Sequence, residues 1–161
     1  MNEDELLKTS VGGIVINDRG EVLLRKSSRI SQGEMWTFAK GHPRPSETHE
    51  ECAIREVLEE TGVEARIVRR LTGSYRGSTT ISTYFLMTVK RDTGVFDDET
   101  VEVRWSSLGE ATDLISRSPY EVGRKRDLEV LKAVQKMTDN RNIDRARMAT
   151  KEHNNRRFLS K

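Results

Sequence analysis

The 161-residue chain, with 34% hydrophobic and 34% charged residues, has the size of one ordinary domain with a modest core and a heavily charged surface. No apolar run approaches the roughly 20 residues a membrane helix needs. The acidic start Met1-Asn2-Glu3-Asp4-Glu5 is opposite in charge to a signal peptide, and the lone Cys52 can form no internal disulfide, so a cytoplasmic, reducing setting is expected.

Taken in chain order, Val11–Asn17 and Glu21–Lys26 read as strands, with turn chemistry in Asn17-Asp18-Arg19-Gly20 between them. A polar loop runs from Ser27 to Met35, and Trp36-Thr37-Phe38 is a short strand-like run. Residues 40–47 carry Gly41, Pro43 and Pro45 and read as loop. Thr48 and Glu51 fit a capping box for a helix that runs to Thr61 and stops at Gly62. Ala65–Tyr75 and Ile81–Lys90 are β-rich, Asp92–Thr100 is an acidic loop, Val101–Trp105 is a further short strand, and Leu108–Ser116 and Arg124–Met137 read as helices. These elements predict an α/β (α+β) sandwich. The net charge of +2 is uneven: residues 139–161 hold seven Lys/Arg against three Asp/Glu, leaving the body at about −2. That distribution argues against a dedicated nucleic-acid binder, whose positive charge should lie on the folded face. The division expected is a domain over 1–138 and a basic tail over 139–161, either a helical extension or partly disordered.

The helix over 48–61 is the informative element. On a wheel of 100° per residue, Ala53, Ile54, Val57 and Leu58 are read as an apolar arc that packs on a sheet, with Glu56, Glu59 and Glu60 gathered opposite. Like charges at i, i+3 and i+4 repel. Arg55 is placed to pair with Glu59, but no Lys or Arg stands four residues from Glu56 or Glu60. A solvated acidic face and a cation site explain this helix about equally well taken alone. Clustered carboxylates without His or Cys suit hard ions such as Mg²⁺ or Mn²⁺. Gly41, which lets a backbone approach a ligand closely, and Lys40, a cation beside the acidic site, favour the cation site.

Gly41, Glu47, Arg55, Glu56, Val57, Glu59, Glu60, Gly62 and Val63 fill, without a gap, a pattern that resembles the signature of the Nudix hydrolases. Trp36-Thr37-Phe38-Ala39-Lys40-Gly41-His42 is similar to the Trp-x-Phe-Pro-Lys-Gly-His run of the diadenosine-polyphosphate branch, with Ala39 where that branch has proline. The resemblance covers roughly residues 9–137. It implies an α/β/α sandwich with a mixed central sheet, a loop-helix-loop that binds Mg²⁺ or Mn²⁺, and hydrolysis of a pyrophosphate linkage. Glu56, Glu59 and Glu60 would hold metal or activate water, with the Lys40 carbonyl as a further ligand. Arg55 would orient carboxylates and Glu47 would support Arg55. A loop carboxylate is expected from Asp98, Glu99 or Glu102, with Glu99 favoured.

Arg25, Lys40, Gly41, His42 and Tyr84 are candidates for binding substrate. Arg25 and Lys26 alternate on a strand, so at most one faces the site. Tyr84 is weighed between stacking on a base and ordinary core. Cys52 is expected to be a small packing residue and Trp105 to be core. A dinucleoside polyphosphate is the first substrate expectation, with a nucleoside triphosphate, a diphosphoinositol polyphosphate or an RNA 5′ end as neighbours. The other class is a non-catalytic nucleotide sensor, against which the complete Glu56, Glu59 and Glu60 set argues. No membrane partner is expected, and either a monomer or a homodimer is compatible with the sequence.

Overall fold

The structure, a computed structural model, describes residues 7–159; the acidic start and the last two residues of the tail lie outside that range. Its elements are β1 (Lys8–Ile16), β2 (Val22–Ser27), β3 (Trp36–Thr37), β4 (Ala39–Gly41), α1 (His49–Thr61), β5 (Val63–Arg70), β6 (Tyr75–Arg76), β7 (Thr80–Asp92), β8 (Thr100–Ser106), α2 (Leu108–Ser116) and α3 (Glu121–Leu159). The β1–β2 turn is held by the Asn17 side chain, whose Oδ1 accepts from the Arg19 and Glu21 amides at 3.0 Å.

The strands form one sheet with the spine β3-β2-β1-β7-β5; β4 pairs with β1, β6 with β7 and β8 with β2. β1 and β7 run parallel and the remaining pairs antiparallel, so the sheet is mixed, as expected. Strand alternation then sends side chains to two layers. Val11, Val15, Leu23, Phe85 and Met87 meet Cys52, Ala53 and Val57 of α1. Ile14, Leu24, Tyr84 and Leu86 meet Leu114 and Ile115 of α2 and Val130 and Val134 of α3. Each fully buried Leu, Val or Ile contributes about 1.5–3 kcal/mol relative to exposure. The result is an α/β/α sandwich with one helix on one face and two on the other.

Three expectations need correction. The stretch Ala65–Tyr75 is not one strand: β5 ends at Arg70, Leu71 turns into the core, and β6 begins at Tyr75. The last helix is longer than Arg124–Met137 on both sides, and from Asp139 onward every residue whose exposure is described is exposed. The buried face of α1 comprises Cys52, Ala53, Val57 and two glutamates, Glu56 and Glu60, while Leu58 is 38% exposed. The carboxylates therefore share the packed face rather than opposing it, because polar partners wait for them beneath the helix. Among the described residues no helix is long and apolar enough to cross a membrane.

Candidate active site

The ends of α1 are set by local chemistry. Thr48 Oγ1 accepts from the Glu51 amide at 3.1 Å, and Gly62, at φ 78°, closes the helix with its amide donating to the Leu58 carbonyl at 2.9 Å. These caps set the ends of α1, and Cys52, Ala53 and Val57 set the face that meets the sheet. Burying Glu56 and Glu60 on that face has three structural supports.

The first is Gly41. A Cβ there would collide with the Glu56 carboxylate, so the glycine makes room for this side chain. Gly41 lines the cleft as expected of a ligand-facing backbone, but the space a side chain would take over its Cα is filled by Glu56. The second is β4, whose Lys40 amide donates to Glu60 Oε2 at 2.8 Å. The third is β2. Arg25 shares the sheet face of Leu23 and turns toward α1, with Nε 4.0 Å from Glu60 Oε2. Arg25 also donates from Nε to Thr100 Oγ1 at 2.8 Å and from Nη2 to the Glu99 carbonyl at 2.7 Å. Thr100 Oγ1 donates in turn to the Glu60 carbonyl at 2.7 Å, joining α1, β2 and β8. Lys26 takes the other face, over the Trp36 ring and paired with Glu34, so of the two cations only Arg25 faces the site.

Arg55 organises the remaining carboxylates. Its Nε and Nη2 donate to the two oxygens of Glu47 at 2.7 and 2.8 Å, and its Nη1 donates to Glu56 at 2.7 Å and Glu59 at 3.2 Å. Its Nη2 also reaches the His42 carbonyl at 3.1 Å, tying the preceding loop to the helix. The guanidinium beside Glu47 holds that carboxyl down at about 2. Burial, above all, pushes Glu60 up to about 8 and Glu56 upward, and Glu99 adds its charge at both.

These groups line one cleft of about 620 Å³. Glu56, Glu59 and Glu60 stand along it with Glu99 and Asp97 from the loop before β8. Glu99 is half-buried and ion-paired with Arg29, and Asp97 is anchored by its amide to the Glu59 carbonyl at 2.8 Å. Asp98 stays exposed and Glu102 is engaged with Arg104, so neither lines the cleft. Lys40, Arg25 and Arg126 line the cleft as cations, and burial lowers the Lys40 ammonium pKa, with the Arg126 charge adding to the effect. His42 is at the mouth, its Nδ1 2.8 Å from the Thr9 carbonyl.

Tyr84 is the expectation that fails. It is 0% exposed, in edge contact with Phe38 and Tyr75 at ring-centroid distances of 6.4 and 5.8 Å, and is closed off from any base. Its strand is covered on both faces, and position 84 faces α2 and α3. Arg126, Asp97 and Arg29 were missed by the sequence reading. The only signal for them was charge in segments read as plain helix or loop.

The donors suit a hard divalent cation. They are oxygen-only and clustered, and burial disfavours the charged forms of Glu56 and Glu60, which a bound cation would offset. Among the described residues no three His, Cys, Asp or Glu side chains already form a ligand cage, since Arg55 engages Glu56 and Glu59.

The NUDIX domain family model matches residues 6–145. The chain is 30% identical over 132 residues to a Mycobacterium tuberculosis protein named "Putative mutator protein MutT4", covering 73% of this chain and 52% of that one. It is 41% identical over 71 residues to an RNA pyrophosphohydrolase of Pseudomonas paraeruginosa, covering 44% of this chain and 43% of that one. The chain thus spans about half the length of the curated relatives it matches. In fold it is similar to a C. elegans Ap4A hydrolase, with TM-score 0.61 and 21% identity over 81% of this chain and 96% of that one. A Nudix hydrolase from Nitrosomonas europaea gives TM-score 0.63 at 23% identity, over 74% of this chain and 67% of that one.

Proposed function

The chain belongs to the NUDIX family, and from that premise we propose that it is a pyrophosphohydrolase that uses a divalent cation to cut a phosphoanhydride in a nucleotide-like substrate, with a dinucleoside polyphosphate first among the candidates. One observation carries this reading: a single cleft lined by the carboxylates Glu56, Glu59 and Glu60 and by the cations Arg25 and Lys40. A phosphate chain needs both. Its negative oxygens must be neutralised before water can approach, and its leaving group must be stabilised as charge builds.

Mg²⁺ or Mn²⁺ would be held by Glu56, Glu59 and Glu60, with the Lys40 carbonyl and Glu99 as further donors. When bound, it supplies charge neutralisation and a water of lowered pKa. The chain's own groups do the rest. Arg25 and Lys40 orient the phosphoryl oxygens. Arg55, anchored by Glu47, holds Glu56 and Glu59 in place. Water adds in line to one phosphorus, the bridging P–O bond breaks, and a carboxylate of the cluster accepts the proton. The single, unpaired Cys52 fits a reducing compartment such as the cytoplasm.

An RNA 5′ end is the second reading, favoured by the 41% identity over 71 residues to an RNA pyrophosphohydrolase. The test is a substrate panel with Mg²⁺: diadenosine tetraphosphate, nucleoside triphosphates, ADP-ribose, a diphosphoinositol phosphate and a 5′-triphosphorylated RNA. Conversion of diadenosine tetraphosphate to ATP and AMP, lost by ~100-fold or more in Glu59→Gln and Glu60→Gln, is the expected result. Full turnover in both variants would sink the metal-site assignment. Binding without turnover of any compound would put the sensor reading first.

A further inference from the structure

Arg126 comes from α3, on the opposite face of the sheet from the glutamate helix, yet it lines the same cleft. Its placement is built rather than incidental. Nε donates to Asp127 Oδ1 at 2.9 Å, and Asp127 Oδ2 accepts from Thr37 Oγ1 at 2.7 Å, which pins the start of α3 to β3. The Arg126 and Asp127 side chains are 10% and 4% exposed. A long cation is thus held in one orientation inside the protein, where a surface arginine would sweep through solvent.

Only the Nε edge of the guanidinium is hydrogen-bonded among the described residues. The two terminal nitrogens lie against glycines. A Cβ on Gly77 would stand 2.9 Å from Thr80 Oγ1 and 3.0 Å from Nη1, and one on Gly123 would stand 3.7 Å from Nη2. Small residues flank the outer edge of the fork, and that edge offers paired donors matched to phosphoryl oxygens. Ser10, whose hydroxyl is fully buried and has no partner, lines the same cleft. Asp127 offsets the Arg126 charge in part and Arg25 faces Glu60, so Lys40 and Arg126 are the cleft cations left to meet an anionic group.

We propose that Arg126 is a specificity-determining residue that holds a phosphoryl group beyond the scissile linkage, so that the cleft favours chains of three or more phosphates over a bare diphosphate. This rests on the polyphosphate reading of the cleft above. The bland alternative is an internal ion pair that merely fastens α3, and it predicts no dependence on chain length.

The experiment measures binding of inorganic tripolyphosphate and inorganic pyrophosphate to the full chain in Mg²⁺ by calorimetry, for wild type, Arg126→Gln and Gly77→Ala. Wild type is expected to bind tripolyphosphate more tightly. Arg126→Gln should lose about tenfold or more on tripolyphosphate relative to its change on pyrophosphate, the scale of one charge-assisted contact. Gly77→Ala keeps the charge but crowds Nη1, and should narrow the preference in the same direction, which covers the case in which Arg126→Gln fails to fold. Equal losses on both anions, or an unchanged preference in either folded variant, overturn the role of Arg126 and leave the pyrophosphate reading standing. A wild type that binds neither anion overturns both.

Discussion

Arg55 and Glu47 are joined by two parallel hydrogen bonds of 2.7 and 2.8 Å, and through that fork Arg55 keeps a third and fourth contact with Glu56 and Glu59. A bidentate guanidinium–carboxylate pair fixes direction as well as distance. Glu47 does not line the cleft, yet its fork with Arg55 sets the direction of the guanidinium that meets two cleft carboxylates. Its depressed carboxyl pKa, at about 2 in the fold, lies below the unfolded value near 4.3. A depressed acid adds stability that is fully present above the unfolded pKa and is lost as pH falls toward the folded one. We expect Glu47→Gln to remove part of the acid-limb dependence of the melting temperature between about pH 5 and 2. We also expect kcat to fall by ~10-fold or more with KM little changed. Identical pH–stability curves for the two proteins would refute the linkage.

Gly41→Ala tests the close approach of backbone and carboxylate. The added methyl cannot coexist with Glu56 where it stands, and the carboxylate would have to leave the cleft. Divalent-cation affinity, followed by Mn²⁺ titration, should weaken by ~10–100-fold. Far-UV circular dichroism should remain native, because the clash is with one side-chain carboxylate and not with backbone. Unchanged Mn²⁺ binding would mean that Glu56 is not a donor.

How much of this was legible in the sequence depends on how local the determinants are. Thr48 and Gly62 announce the ends of α1 because capping acts over three or four residues. The Glu47–Arg55 pair was expected only through the family resemblance, since residue spacing alone pointed Arg55 at Glu59. The buried face of α1 was not legible. Charge in a sequence suggests solvent, and only the arrival of Gly41, the Lys40 amide and Arg25 makes burial of Glu56 and Glu60 tolerable. Tyr84 failed for a related reason: in Thr83-Tyr84-Phe85-Leu86-Met87 both strand faces are covered, so no polar alternation marks which side meets the cleft. Arg126 and Asp127 reach the site through a contact with Thr37 that is 90 residues distant in sequence, and no local pattern encodes that.

Tyr84→Phe separates core from ligand contact directly. The Tyr84 hydroxyl is buried near Ser82 but makes no hydrogen bond of good geometry, and burial raises its pKa above the ordinary range. Removing an unpaired buried hydroxyl is neutral or stabilising by up to about 1–3 kcal/mol. We expect an equal or higher melting temperature and unchanged KM for every compound that turns over. A raised KM for nucleotides, with none for inorganic polyphosphate, would restore a base-binding role.

Cys52 offers a check on the packing beneath α1. Burial, first of all, pushes its thiol up to about 12, and its Sγ lies 3.8 Å from the Gly41 carbonyl under the helix. The thiolate is the reactive form. At pH 8 the native protein should therefore react with a thiol reagent at least ~100-fold more slowly than the denatured chain. Fast labelling of the native protein would mean that α1 opens from the sheet, and that the carboxylates on its buried face open with it.

The basic extension is the last element to test. Val130, Leu131 and Val134 of α3 pack in the core, and Met137 packs against it. Beyond Asp139 the described residues are exposed, including Phe158 at 84%. A helical extension whose described residues are exposed adds little to the fold, since most helical stability comes from tertiary packing. Ending the chain after Asn140 should change stability by no more than about 0.5 kcal/mol. It should leave kcat/KM for small nucleotides within about twofold, by analogy with neutral surface changes. The informative comparison is a 5′-triphosphorylated RNA measured beside diadenosine tetraphosphate. Loss confined to the RNA, and larger at low salt, would show the extension contacting a phosphate backbone and would advance the RNA-end reading. Loss on both would mean that the distal helix supports the cleft itself, which would contradict a domain ending near residue 138.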